Sequence, residues 1–227
     1  MNSPFYNQAE THTFSDWLVP YVLGVGVEDL EEYYLGGLPD LSSFLERDGE
    51  SFKINFEVFR ELTENHLTAF GKQLRAAING KTFIDLGCGI SSRSIVPRLL
   101  AQAFSAKAYI GVDLLNVSNE IRENEFLEWG PFKSQFIKED ILTFLKSSKR
   151  EAPSVYFLAG LELEKNVPSS DQYIKDLSSE LTRLTSPKDF IILGAGTVDL
   201  KLNKKEFKLV YSDQYQEMFQ RKSNWFW

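Results

Sequence analysis

Asp85, Asp113 and Asp140 each close a short apolar run, and the first is followed two and four residues later by Gly87 and Gly89. The stretch Thr82-Phe83-Ile84-Asp85-Leu86-Gly87-Cys88-Gly89-Ile90-Ser91-Ser92 reads as a strand, a tight turn and the start of a helix. Glycine tolerates positive φ and lets another molecule approach the backbone, and a helix start offers N–H groups without partners. The turn is therefore a candidate ligand site, and two ligand chemistries compete for it. A dinucleotide fingerprint asks for glycine, any residue, glycine, two residues, then glycine or alanine, with an acid about 20 residues further on. Gly87 and Gly89 match, Ser92 stands at the third small position, and Asp113 is placed to hold a ribose. Asp85, however, would lie close to a doubly negative pyrophosphate and repel it in a partly desolvated cleft. A ligand with a cationic end turns the same carboxylate into a partner.

S-adenosylmethionine has such an end. Its ammonium and sulfonium suit Asp85 at the turn, its ribose hydroxyls suit an acceptor at Asp113, and its adenine amine suits Asp140. In these residues the chain resembles the class I S-adenosylmethionine-dependent methyltransferase family. The likeness rests on Ile84-Asp85-Leu86-Gly87-Cys88-Gly89 as the glycine motif, Gly111-Val112-Asp113 as the ribose acid, and Lys138-Glu139-Asp140-Ile141 as the adenine-side strand end. The resemblance spans roughly Phe56 to Trp227. It implies cofactor contacts from Asp85, Gly87, Cys88, Gly89, Asp113, Leu114, Asp140 and Ile141, a seven-stranded sheet with helices on both faces, and a cap or N-terminal segment that sets substrate choice. The chain departs from the family pattern at Ile90-Ser91-Ser92, where a small or glycine residue usually follows the second glycine, and in a long gap from Gly89 to Asp113. Both departures concern the loop path around the methionine moiety. Arg93, Arg60 and Lys81 are cations that could meet the methionine carboxylate.

The acids need a scaffold that aligns strand ends. Apolar positions Phe56, Phe59, Leu62, Leu67, Phe70, Leu74 and Ile78 recur at three and four and predict a helix up to Asn79-Gly80. Strands follow at Lys81 to Leu86, Ala108 to Leu114, Ser134 to Ile141, Ser154 to Gly160 and Asp189 to Leu193, separated by helices over about Ser92 to Phe104, Val117 to Trp129, Leu142 to Ser148 and Ser170 to Leu184. Alternation of this kind predicts an α/β fold with a doubly wound, mostly parallel sheet. The alternating Glu206 to Ser212 and the run from Met218 to Trp227 have no helix between them, so they predict an antiparallel C-terminal hairpin. Residues 1–55 are rich in aromatics and acids without period-two alternation, and are expected to form a helical extension or cap on a domain of residues 56–227.

The methyl acceptor is much less legible. Methyl transfer is an in-line displacement that needs a general base only if the acceptor arrives protonated. The fourth strand runs into Leu158-Ala159-Gly160-Leu161-Glu162-Leu163-Glu164, without the Asn or Asp, two prolines and aromatic of amino-directed nucleic-acid methyltransferases. Glu162, Glu164 and Tyr173 are the candidate catalytic or acceptor-binding residues. Net charge is -7, from 25 lysines and arginines against 32 acids, which disfavours a nucleic-acid partner. A small-molecule acceptor is expected, with a protein side chain as the alternative. One cysteine, Cys88, rules out an internal disulfide, and the two histidines, His12 and His66, offer little for a metal. No basic start with an apolar run opens the chain, and no stretch approaches the roughly 18 apolar residues of a membrane span, so a cytoplasmic protein is expected. Two other functions fit part of the pattern: a noncatalytic protein of the same fold, and an NAD-dependent oxidoreductase.

Overall fold

The computed structural model describes residues 45–48, 51–66, 69–89, 95–114, 127–128, 132–149, 153–159, 170–194, 200, 202–212 and 217–223. Its main body is a seven-stranded sheet. Five strands, β3 (Thr82–Leu86), β4 (Ala108–Asp113), β6 (Ser134–Lys138), β7 (Ser154–Leu158) and β8 (Phe190–Leu193), run parallel in the order β6-β4-β3-β7-β8. β3, β7 and β8 are buried on both faces because helices cover both, the pattern of a central parallel sheet. On one face Phe83, Tyr109, Val155 and Phe157 pack with residues of α1 (Phe56–His66), α2 (Ala69–Ile78) and α3 (Ile95–Ala103). On the other, Ile84, Leu86, Val112 and Leu158 meet α4 (Ile141–Ser147) and α5 (Ser170–Leu184) through Leu145, Leu177, Leu181 and Leu184.

β3 lies at the centre. The chain first winds outward through β4 and β6, then returns to the other side of β3 for β7 and β8. This reversal between β3 and β7 is the switch point outside which ligands bind in open α/β sheets. The C-terminal strands β9 (Phe207–Ser212) and β10 (Glu217–Arg221) form the expected hairpin, but β10 is inserted between β8 and β9 and β9 is the edge. Met218 of β10 is buried against the first core, whereas Lys208 and Leu209 of β9 are exposed. Burial thus decides which hairpin strand goes inside.

Three local expectations change. The helix expected over Phe56 to Ile78 is two helices, α1 and α2, with residues 67–68 outside the described set. Asn55 caps α1, its side chain accepting from the Val58 N–H at 3.2 Å, and Gly80 at φ 70° ends the α2 connection. The described end of the 1–55 extension is not helical: β1 (Leu45–Asp48) and β2 (Ser51–Ile54) pair antiparallel, Asp48 opposite Ser51. The two intervening positions are Gly49-Glu50, a connection length and a glycine that suit a tight hairpin, and this was the signal available in the sequence. Residues 1–44 lie outside the described set. Leu127–Glu128, expected to close a helix, is instead a short strand, β5, parallel to β2 in a separate three-stranded sheet β1-β2-β5. That pairing joins positions some 75 residues apart, which no local pattern encodes.

Candidate functional site

β3, β4 and β6 are neighbours, so their carboxyl ends bring Asp85, Asp113 and Asp140 to one rim of the sheet. The glycine turn is laid across the end of β4. Gly87 and Cys88 both donate their N–H to the Val112 carbonyl, at 2.8 and 3.2 Å, and Gly89 donates to the Asp113 carboxylate at 2.9 Å. Gly87 and Gly89 have φ of 79° and 69°, the left-handed region that glycine enters without strain. The Asp113 carbonyl in turn accepts from the Glu139 N–H at 2.9 Å, tying the β6 end to the same rim. Asp113 is half-buried, and the next residue, Leu114, is 65% exposed. A carboxylate and a bare apolar side chain therefore stand side by side at the strand end.

Asp85 faces the first core and is only 1% exposed. The buried Tyr109 hydroxyl donates to its Oδ2 at 2.7 Å. Tyr109 is held by its ring, stacked on Phe83 at 6.1 Å between centroids and edge-on to Phe136 at 5.7 Å. In the β3–β4 ladder Phe83 is opposite Tyr109 and Asp85 opposite Gly111. The phenol thus reaches diagonally across a position that has no side chain. A Cβ on Gly111 would come within 2.9 Å of both the Cys88 Sγ and the Phe136 ring. Burial pushes the Asp85 carboxyl up to about 7; the Tyr109 hydrogen bond works against the rise and the Asp113 charge adds to it. Cys88 is also buried, and burial followed by the nearby Asp85 and Asp113 charges pushes its thiol up, away from nucleophilic use.

Asp140 has a local role. It is the N-cap of α4, its Oδ1 accepting from the Thr143 N–H at 2.9 Å and the Thr143 hydroxyl at 3.2 Å. Its Oδ2 accepts from the Tyr173 hydroxyl at 2.9 Å. Tyr173 on α5 is therefore bound to the β6 rim, and burial together with that hydrogen bond pushes its phenol up. Ile141 is buried in the second core. Glu162, Glu164 and Arg93 lie outside the described residues. Of the cations considered for a carboxylate, Lys81 sits at the amino end of β3, away from the turn. It donates to the Ala76 carbonyl at 3.0 Å and lies 5.2 Å from the Phe190 ring centroid. Arg60 pairs with Glu57 on α1 at 3.2 Å. Sequence reasoning missed Tyr109, although a tyrosine inside an apolar strand must find a buried partner for its hydroxyl. Among the described residues no group of three or more His, Cys, Asp or Glu side chains could hold a metal ion, and no helix is long and apolar enough to cross a membrane.

Strand order, direction and the reversed C-terminal pair together make this the fold of class I S-adenosylmethionine-dependent methyltransferases, as the sequence resemblance implied. The candidate methyltransferase yhhF from Escherichia coli is similar in structure, with a TM-score of 0.52 and 12% identity over 71% of this chain and 86% of that one. The candidate methylase HI0767 from Haemophilus influenzae matches with a TM-score of 0.50 and 17% identity, over 68% and 87% of the two chains. A candidate rRNA methylase from Clostridium thermocellum stands at a TM-score of 0.46 and 11% identity, over 69% and 96%, a likeness that bears on no acceptor. Comparisons with protein-family models and with curated protein sequences find no match.

Proposed function

We propose that the chain is an S-adenosylmethionine-dependent methyltransferase acting on a small molecule. The observation that carries this reading is the rim itself: a glycine turn bonded to Asp113, with buried Asp85 beneath it and exposed Leu114 beside it. Asp113 would accept from the ribose hydroxyls while its other contact holds Gly89 in place. Leu114 offers an apolar face for the adenine ring. Asp85 cannot touch bulk solvent, so its charge, when present, is weakly screened and favours a cationic methionine end over a pyrophosphate. Asp140, already shared between the α4 cap and Tyr173, lies at the adenine side, with Ile141 beneath it in the core. Gly89 leaves the backbone open to close approach, with no atom within 4 Å of where a Cβ would stand, and Cys88 packs the underside of the turn.

Bound there, S-adenosylmethionine would supply an activated methyl group for in-line displacement. The chain's own contribution is to position and desolvate the two reactants, with a base needed only for an acceptor that arrives protonated. Glu162 and Glu164 follow β7 in the sequence and are the residues we assign to the acceptor. The acidic net charge supports a small-molecule acceptor over a nucleic acid, and a single buried cysteine fits a reducing cytoplasm. Calorimetric titration with S-adenosylhomocysteine is the first test, with binding expected. An absence of binding at high micromolar ligand, in a protein whose circular dichroism is intact, would sink the reading, and enhanced fluorescence of reduced nicotinamide would replace it with an oxidoreductase. Incubation with methyl-labelled cofactor and fractionated metabolites, peptides or RNA then identifies the acceptor. Cofactor binding with no transfer to any fraction would mark a noncatalytic protein of the same fold.

A further inference from the structure

Tyr109 and Asp85 form a buried polar pair that no step of methyl transfer requires, directly under a turn read as the cofactor's seat. We propose that Tyr109 is a positioning residue for Asp85, and that a cationic ligand on the turn drives a proton from the Asp85 carboxyl to solvent. The inference rests on the proposed cofactor site.

The geometry leaves the carboxyl few options. Asp85 is 1% exposed, so water does not stabilise its charge. Phe157 is opposite it on β7, and Phe83 and Phe136 flank the Tyr109 ring, so among the described residues its surroundings are apolar apart from a few groups. Those groups are the Tyr109 hydroxyl and the Asp113 carboxylate from β4, the Cys88 thiol from the turn, and, from α3, the Arg98 guanidinium, which is 6.0 Å from the Phe136 ring and interacts with Tyr109. Asp113 is drawn in by its bond to Gly89, placing a second negative charge near the first. Burial is what chiefly disfavours the charged form of Asp85, and the Asp113 charge adds to it. An ammonium delivered to the turn would offset that cost of charge, so binding and deprotonation of Asp85 are linked. Tyr109 sets the balance: its hydroxyl donates at 2.7 Å, and a hydrogen bond of this kind is strongest when the acceptor is charged. Its ring packing fixes the donor beside the Asp85 carboxyl.

The test titrates the intact protein with S-adenosylhomocysteine from about pH 5.5 to about pH 8.5. Wild-type affinity is expected to rise about tenfold per pH unit below neutrality and to level off above it, as linkage to one proton requires. Tyr109→Phe is expected to move the midpoint up by about one pH unit, because the bond favouring the charged form is gone. A purely structural role for Tyr109 would lower affinity equally at every pH, and that outcome overturns the inference. In parallel, the carbon-13 carboxyl resonance of Asp85, assigned by its loss in Asp85→Asn, reports protonation directly and needs no folded Tyr109 variant. It should titrate near neutrality in the free protein and stay ionised through that range with ligand bound. A resonance that titrates only in the acid range, or ignores ligand, overturns the inference. Ligand binding that is flat with pH refutes this proposal alone, whereas no binding at any pH refutes the cofactor site.

Discussion

Replacing Asp85 by asparagine turns its burial into a measurable pH dependence of stability. In the folded chain the carboxyl is raised from 3.8 to about 7, chiefly by burial. A group whose folded pKa lies above its unfolded value stabilises the fold fully below the unfolded pKa, and that contribution is lost as pH rises through the folded pKa. Between the two values the native state holds a proton that the unfolded chain has released, so wild-type stability falls by about 1.4 kcal/mol per pH unit on this account. A rise of about three units makes the loss about 4 kcal/mol by slightly alkaline pH, a large share of the 5 to 15 kcal/mol that holds a typical domain. Asparagine keeps an acceptor for Tyr109 and cannot ionise. Its offset from wild type is therefore constant in acid, and the difference then climbs in the variant's favour by about 4 kcal/mol from about pH 4 to about pH 8. Urea denaturation of both proteins at half-unit pH steps reads this directly. Curves that stay parallel across the range would refute the reasoning, because a buried carboxyl with an unshifted pKa contributes no such slope.

Gly111→Ala should destabilise the chain by about 1 to 3 kcal/mol, since the new methyl must displace the Cys88 sulfur and the Phe136 ring from 2.9 Å contacts. Thermal denaturation measures the cost, and adding Cys88→Ala should recover part of it. Asp113→Ala should weaken S-adenosylhomocysteine binding by about tenfold or more, because the ribose donors and the Gly89 N–H lose their acceptor together. Calorimetry that returns wild-type affinity would remove Asp113 from the site.

Much of the scaffold was readable locally. Apolar runs ended by Asp85, Asp113 and Lys138-Glu139-Asp140, with helical periods between them, place strands and acids to within a few residues of β3, β4 and β6. Gly87 and Gly89 announced a left-handed turn because few other residues adopt one. Where the reading failed, a distant partner decided. The β5–β2 pairing overrode a plausible helix end; the C-terminal hairpin formed as expected, and burial of Met218 settled an order the sequence had left open, β10 inside β9. Tyr173, chosen as a candidate for the acceptor, is bonded to Asp140 because α5 packs beside α4.

The aspartates looked equivalent in the sequence, one carboxylate at each strand end, and their order along the chain matched the parts of one ligand. Composition, period and glycine placement were enough for that, since each depends on only a few neighbouring residues. Tertiary packing then gave the three acids different physics: Asp140 caps a helix, Asp113 grips the turn, and Asp85 is sealed under Tyr109 where its charge is costly. Burial depends on every element stacked against a side chain, and in this chain the elements around Asp85 come from β4, β6, β7 and the turn at once.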